Sequence, residues 1–130
     1  MQERRTEPRK TLISYTQVFD LYGGYLIGYL ADLHLKGAMV IGSKAAAINF
    51  EVTLAVELPD LPKVKAARMT VPARVVWCQK DISPDFFNIG FEFKALPDEQ
   101  KKLIQAIMDN YEFRRDMPSY PAKPPSATRK

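Results

Sequence analysis

The feature that most constrains the fold is a period of two among the apolar residues, repeated in successive short segments. The segment FFNIGFEFKAL places four apolar side chains on one face, at Phe87, Ile89, Phe91 and Phe93. The segment FEVTLAVEL alternates in the same way. Because successive side chains point to opposite faces of a β-strand, this spacing predicts strands with one buried face. We therefore expect a mainly β fold.

Four further segments are strand-like and are separated by turn or loop signals: TLISYTQVFDL, YLIGYLADLHL, GAMVI and RMTVPARVVWCQ. Gly23 and Gly24, between the first two, favour a tight hairpin turn. After Pro97 the period changes, and DEQKKLIQAIMDNYEF carries an apolar stripe at helical spacing: Leu103, Ile104, Ile107, Met108 and Tyr111. This order predicts a small six-stranded antiparallel β-barrel with one C-terminal amphipathic α-helix.

The charge pattern divides the chain into three parts. The formal net charge of +4 lies in the last seventeen residues, which hold five basic residues, one acidic residue and four prolines. We expect a disordered basic tail over 114–130, a flexible leader over 1–10 and one domain over 11–113. The rest of the chain has no net charge, which argues against a nucleic-acid-binding face.

Residue types that support catalysis or metal binding are scarce. One histidine and one cysteine, Cys78, do not make a zinc cluster of familiar spacing, and no glycine-rich loop lies at a strand-to-helix turn. Apolar runs are too short to span a membrane, and the N-terminus lacks the apolar region of a signal peptide. We expect a cytoplasmic protein that is not an enzyme and needs no cofactor.

A basic stretch near the N-terminus, RRTEPR, carries the chemistry of anion binding. Arg4, Arg5 and Arg9 each present a planar guanidinium fork, which can grip a phosphate or the O6/N7 edge of guanine through two parallel hydrogen bonds. The alternative is a solvated basic terminus with no ligand.

A second stretch, LADLHLKG, also has polar side chains in a regular pattern. If it is a strand, Leu33 and Leu35 share one face. The opposite face ends at Gly37 and carries a carboxylate, an imidazole and an ammonium group: Asp32, His34 and Lys36. Taken alone, this row is either a ligand site or a solvated sheet face.

Together the two stretches resemble the PilZ domain, the bacterial receptor module for cyclic dimeric GMP (cyclic di-GMP). That family pairs R-x-x-x-R with (D/N)-x-S-x-x-G, and RTEPR matches the first motif. Asp32 and Gly37 match the second motif, with His34 in place of the serine. The segments ARVVWCQ, FNIGFEF and LPDEQKKLIQAIM are similar to the last strands and C-terminal helix of the family, so the resemblance covers residues 4–112.

The resemblance implies a role for each matching residue. Arg5 and Arg9 would close the leader over the nucleotide. Asp32 would accept hydrogen bonds from guanine N1–H and N2–H₂, and Gly37 would leave room for close backbone approach. Trp77 is similar to an aromatic residue that lies near the ligand in some members, although a barrel core or rim position is the alternative.

Two residues affect how many nucleotides the resemblance implies and how they would bind. Arg4 directly precedes R-x-x-x-R, and in this family such an arginine implies two nucleotide molecules per chain. His34 leaves three outcomes open: the ring stacks beside a guanine or donates to a phosphate, it bonds Asp32 and occupies the acceptor that guanine needs, or it is a half-exposed polar residue.

The function implied by the resemblance is that of a single-domain receptor for the second messenger cyclic di-GMP. Ordering of the leader around the ligand would carry the signal to a protein partner in motility, biofilm or type IV pilus control. The alternative is a degenerate PilZ-like adaptor that does not bind nucleotide.

Overall fold

The computed structural model describes residues 11–13, 15–58 and 68–113. The expected leader over 1–10 and tail over 114–130 lie outside these residues, so their character stays a prediction. The described part of the chain contains eight strands and one helix: β1 (Thr11–Ile13), β2 (Gln17–Asp20), β3 (Leu26–Leu33), β4 (Gly37–Gly42), β5 (Glu51–Glu57), β6 (Arg68–Lys80), β7 (Phe87–Phe93), α1 (Asp98–Asn110) and β8 (Tyr111–Phe113).

Six of the described strands form a closed antiparallel barrel. Its strand order is β2-β3-β4-β7-β6-β5, and β5 pairs back with β2 to close it. The inward side chains of the barrel and the inner face of α1 form one hydrophobic core. The largest fully buried side chains are those of Leu30, Leu54, Met69, Ile89, Ile104 and Ile107. The expected fold, a six-stranded barrel with one C-terminal helix, is confirmed.

The ladder of the barrel shifts register at three places. One lies between β2 and β3, at Val18 and Phe19. The other two are β-bulges against β4 and β7, where one strand has an extra residue opposite its neighbour. In β3 the bulge lies between Leu30 and Asp32, and in β6 it lies between Val75 and Trp77. Each bulge shifts the inward–outward alternation by one residue. Apolar residues on both sides of a bulge can therefore reach the core from positions that strict alternation forbids.

The predicted first strand, TLISYTQVFDL, is divided into two elements. Between β1 and β2, Tyr15 has φ 60°, a left-handed conformation that bulky side chains rarely adopt. The strand therefore cannot continue through this position. β2 enters the barrel, whereas β1 leaves it and pairs in parallel with β8. The prediction of one continuous strand was wrong because the apolar pattern carries no sign of a positive φ.

The helix follows its predicted start but ends before the last residue of the stripe. It begins after Pro97, and Asp98 and Glu99 in its first turn favour the positive end of the helix dipole. It ends at Asn110, because Tyr111 is extended (φ −137°) and begins β8. Tyr111 is buried in the core, as the stripe predicts, but from a strand rather than from the helix.

The two ends of the barrel are built differently. At the end where β3 finishes, called here the Leu33 end, α1 and β8 lie beside the barrel. Ile104 and Ile107 of α1 join the barrel core. At the opposite end, called the mouth end, the connections over 21–25, 43–50 and 81–86 join the strands. The helix thus packs against the barrel from one side and leaves the mouth end without such cover.

The connection between β2 and β3 is the hairpin turn predicted from the two glycines. The carboxylate of Asp20 accepts hydrogen bonds from the backbone N–H groups of Tyr22 and Gly23, at 3.0 and 2.9 Å. Gly24 adopts φ 77°, which glycine reaches without steric cost. The side chain of Asp20 is therefore used by the turn itself.

Replacing Ile104 by alanine tests whether α1 is an integral part of the core. The side chain is fully buried, so Ile104→Ala should lower the free energy of unfolding by about 2–5 kcal/mol in urea denaturation. The exposed Lys102 on the same helix is the control, and Lys102→Ala should change that free energy by less than about 0.5 kcal/mol. Equal effects of the two substitutions would contradict docking of the helix on the barrel.

Candidate functional site

One row of residues crosses four strands on the outer face of the barrel and contains two of the predicted site residues. Asp32 on β3 pairs with Met39 on β4. Met39 pairs with Gly90 on β7, which in turn pairs with Trp77 on β6. Since neighbouring strands lie about 4.8 Å apart, the backbones of Asp32 and Trp77 are about 14 Å apart. We call these four residues the outer row.

The outer row depends on the two bulges. Leu30 and Asp32 are two positions apart and would share a face in a regular strand. Leu30 is buried in the core, and the extra residue between them turns Asp32 outward. The bulge in β6 has the same effect, since Val75 is fully buried and Trp77 lies outside. The side chains of Asp32 and Trp77 therefore point outward because a β-bulge precedes each of them.

Trp77 lies against the outer wall of the barrel rather than in its core. A Cβ atom at Gly90 would overlap Nε1 and Cε2 of the indole, so the ring covers the backbone of β7 at that glycine. The ring is thereby displaced by one strand towards Asp32. Trp77 is 38% exposed, which leaves part of the aromatic surface open to solvent. The core position considered for this residue is therefore wrong, and its place near a ligand stays a prediction.

Asp32 and His34 are in direct contact. Nε2 of His34 lies 3.1 Å from Oδ2 of Asp32, while Oδ1 of Asp32 accepts a hydrogen bond from the backbone N–H of Leu33 at 3.0 Å. The side chain of His34 is 63% exposed and that of Asp32 is 30% exposed. This contact is the second of the three arrangements considered for His34, in which the imidazole engages the carboxylate.

The second motif contains the tight turn between β3 and β4, which consists of residues 34–36. The backbone N–H of His34 donates to the carbonyl oxygen of Gly37 at 2.8 Å, and Leu35 lies in the turn, 38% exposed. The strand therefore ends at Leu33, two residues before its predicted end at Leu35. A Cβ atom at Gly37 would overlap the carbonyl oxygen of Phe91. This glycine is required by the approach of β7, whatever it contributes to a ligand.

A cavity of about 400 Å³ adjoins Asp32 at the Leu33 end. It is lined on one side by Asp32 and His34 and on the other by Met108 and the β8 residues 111–113. Thr11, the first described residue, pairs with Tyr111 of this lining. The chain that precedes Thr11 therefore joins the domain beside Asp32.

The positions beside Gly37 on the outer face carry charges that already have partners. Arg74 donates to Glu92 and to Asn49 at 2.6 Å each, and Lys94 donates to Glu51 at 2.6 Å. The hydrogen bond from Lys94, together with its positive charge, holds the pKa of Glu51 below its ordinary value. These groups form a charged surface next to the outer row.

The structure brings together only some of the residues predicted for the site. Asp32 and Trp77 share the outer row, and His34 and Gly37 form the turn at its β3 side. Three predicted residues lie outside the described residues: Arg4, Arg5 and Arg9. Sequence reasoning missed Met39 and Gly90, because the register that places them between the other two does not appear in a single strand's pattern. The glycine in FNIGFEF, on the side opposite the phenylalanines, was the one available signal.

Neither a metal site nor a membrane-spanning helix is supported by the described residues. Histidine, cysteine, aspartate and glutamate side chains form no group of three that could hold a metal ion anywhere in residues 11–13, 15–58 and 68–113. Over the same residues, the helix is too short and too polar to cross a membrane.

Replacing Gly90 tests the position of the indole. Gly90→Ala adds a Cβ atom where the ring now lies, so Trp77 should move away from β7 and become more exposed. Because Trp77 is the sole tryptophan of the chain, its fluorescence emission should shift to longer wavelength. Glu92→Gln, on the same strand and face, is the control and should leave the emission unchanged. An unchanged spectrum in Gly90→Ala would contradict the placement of the ring.

Comparison with known proteins adds one finding to this geometry. The sequence model described as the PilZ domain matches residues 3–110, which cover most of the chain and include both motifs, the outer row and the helix. A search of curated proteins and a search of solved structures found no match.

Proposed function

The chain belongs to the PilZ domain family, and on that premise we propose that it is a receptor for cyclic di-GMP that signals to a protein partner. PilZ domains are in general binding modules for this nucleotide. The observation that carries the proposal is the outer row: two bulges place a carboxylate and an aromatic ring on one outer face, and the chain that bears RRTEPR joins the domain beside them.

The outer row offers two kinds of contact that a guanine nucleotide uses. A carboxylate can accept two coplanar hydrogen bonds, as guanine N1–H and N2–H₂ offer, and Asp32 is the carboxylate of the row. The exposed part of Trp77 offers an apolar aromatic surface against which a base can pack. Gly90 and Met39 separate the two and add no charge that would repel a phosphate.

In this proposal Arg5 and Arg9 supply positive charge to the outer row, whose four residues include no basic side chain. Arg9 is two residues from Thr11, so their Cα atoms are separated by no more than about 7 Å. Thr11 pairs with Tyr111, which lines the same cavity as Asp32. A guanidinium at either position of the motif can therefore reach a ligand on the outer row. Binding would fix the leader against the domain and create or cover a surface for the partner.

The contact between His34 and Asp32 favours the second candidate function. In this arrangement the imidazole occupies Oδ2, one of the two oxygens that guanine needs. A chain that keeps this contact permanently would be an adaptor that binds a protein partner but not nucleotide. The receptor proposal requires the imidazole to give way. His34 is largely exposed, so its ring can rotate into solvent without opening the core.

The first test of the receptor proposal is removal of both motif arginines. Charge-assisted hydrogen bonds contribute about 1.5–3 kcal/mol each. Arg5→Ala combined with Arg9→Ala should therefore weaken cyclic di-GMP binding roughly a hundredfold or more in titration calorimetry. Arg68→Ala, which removes an exposed arginine that is paired with Glu57, is the control and should bind as the unmodified chain does. Absence of binding in the unmodified chain would instead support the adaptor.

Substitution of His34 tests whether the imidazole competes with guanine for Asp32 or contacts the ligand. If the imidazole competes with guanine for Asp32, His34→Ser should tighten binding several-fold, since an ordinary hydrogen bond contributes about 0.5–1.5 kcal/mol. Asp32→Asn in the same calorimetric series should abolish most of the binding. Weaker binding in His34→Ser would show that the ring contacts the ligand, and competition for the carboxylate would then be wrong.

The position of Arg4 predicts the stoichiometry. We expect two cyclic di-GMP molecules per chain in calorimetry, because a third guanidinium can engage the phosphates or guanine edges of a second nucleotide. Arg4→Ala should reduce this number to one while leaving the first binding event in place. A value of one with Arg4 present would refute the prediction.

A further inference from the structure

The mouth end of the barrel contains a cavity that the candidate site does not use. Its volume is about 480 Å³, within the range of pockets that hold small ligands. The rim is formed by Tyr25, Phe50 and the segment 43–47, and the floor includes the core residues Val75 and Ile89. The cavity therefore opens to solvent at its rim, and buried core side chains close its floor.

The lining of this cavity is largely apolar, including the part that faces water. Tyr25 is 51% exposed and Phe50 is 46% exposed, and both lie at the opening. Three consecutive small residues, Ala45, Ala46 and Ala47, leave the opening wide on one side. Scattered apolar residues are common on protein surfaces, but a concave group around a core-lined floor is a binding feature.

One charge lies on the lining. Lys44 is exposed and forms no ion pair with another described residue, and the other described residues of the lining carry no formal charge. Asp20, at the adjacent turn, is already engaged by two backbone N–H groups. Burial, and then a hydrogen bond to Asp20, raise the pKa of Tyr25, so its phenol is neutral at physiological pH. The rim thus combines an apolar slot with a single cation.

From this arrangement we propose that the mouth end binds an amphipathic anion, namely an alkyl chain that carries a carboxylate or phosphate head. The alkyl chain lies in the cavity between the exposed rings of Tyr25 and Phe50, above the closed floor, and the anionic head pairs with the ammonium group of Lys44. A concave cavity of this volume suits a small ligand better than a flat protein surface. This site lies at the end of the barrel opposite Asp32 and does not rest on the proposed function.

The proposal is tested by titrating the isotope-labelled full chain with dodecanoate, below its micelle-forming concentration, and following backbone amides by NMR. Saturable shifts are expected at Ala45, Ala46, Ala47 and Ile89, and not at Asp32. Dodecyltrimethylammonium, with the opposite head charge, should bind at least about tenfold more weakly. Dodecyl phosphate in place of dodecanoate separates the two sources: tighter binding of the carboxylate indicates a free fatty acid, and tighter binding of the phosphate indicates a lipid headgroup.

Two variants and one control locate the site. Ala45→Trp fills the rim at an exposed position and should abolish the shifts without loss of folding. Lys44→Gln should weaken dodecanoate binding about tenfold, whereas Lys101→Gln on the helix should have no effect. Binding that survives Ala45→Trp, shifts centred on the outer row, or equal affinity for both head charges would overturn the proposal. The Arg5→Ala, Arg9→Ala chain should bind dodecanoate normally, so failure here is distinct from failure of cyclic di-GMP binding.

Discussion

The structure depends on two β-bulges. They let the barrel fill its interior with apolar side chains and also place polar and aromatic side chains on its outer wall. A small closed barrel needs apolar side chains at every inward position, since its interior is packed rather than hollow. Leu30 and Val75 meet this need, yet the residues two positions later are Asp32 and Trp77. One extra residue in each strand keeps the first pair inside and sends the second pair outside. Closure of the core and exposure of the outer row therefore follow from the same two breaks in the ladder.

The sequence predicts the barrel well because its signal is repeated. Period two recurs in segment after segment, and the change of period after Pro97 marks the helix. What it does not predict are events at single residues. A bulge shifts the phase by one, and the apolar pattern around Leu30 and Leu33 does not say which residue between them is unpaired. The left-handed φ of Tyr15 and the end of β3 at Leu33 are also features of single residues, so a repeated pattern does not predict them. The candidate site residues were predicted from motif chemistry. The position of Gly90 opposite Trp77 can be recognised only from the register between strands.

His34 connects the two candidate functions through one contact. With the imidazole on Asp32, the domain has an internally satisfied carboxylate and the character of an adaptor. With the imidazole rotated away, the same carboxylate faces a ligand. Under the receptor proposal, the affinity for nucleotide would include the free energy of breaking a contact that is exposed and therefore weak. A serine at this position would impose no such cost, so the histidine would lower affinity without altering the architecture around it.

The parallel pair formed by β1 and β8 has a mechanical consequence. It is three residues long, lies outside the barrel, and contributes Ile13 as the β1 residue of the described core. So short a ladder opens at much lower free energy than the barrel strands, because few hydrogen bonds and little apolar area are lost. A pull on the chain at Thr11 would therefore detach β1 from β8 while the barrel stayed closed. Force applied after Phe113 would act on the same joint from its other strand.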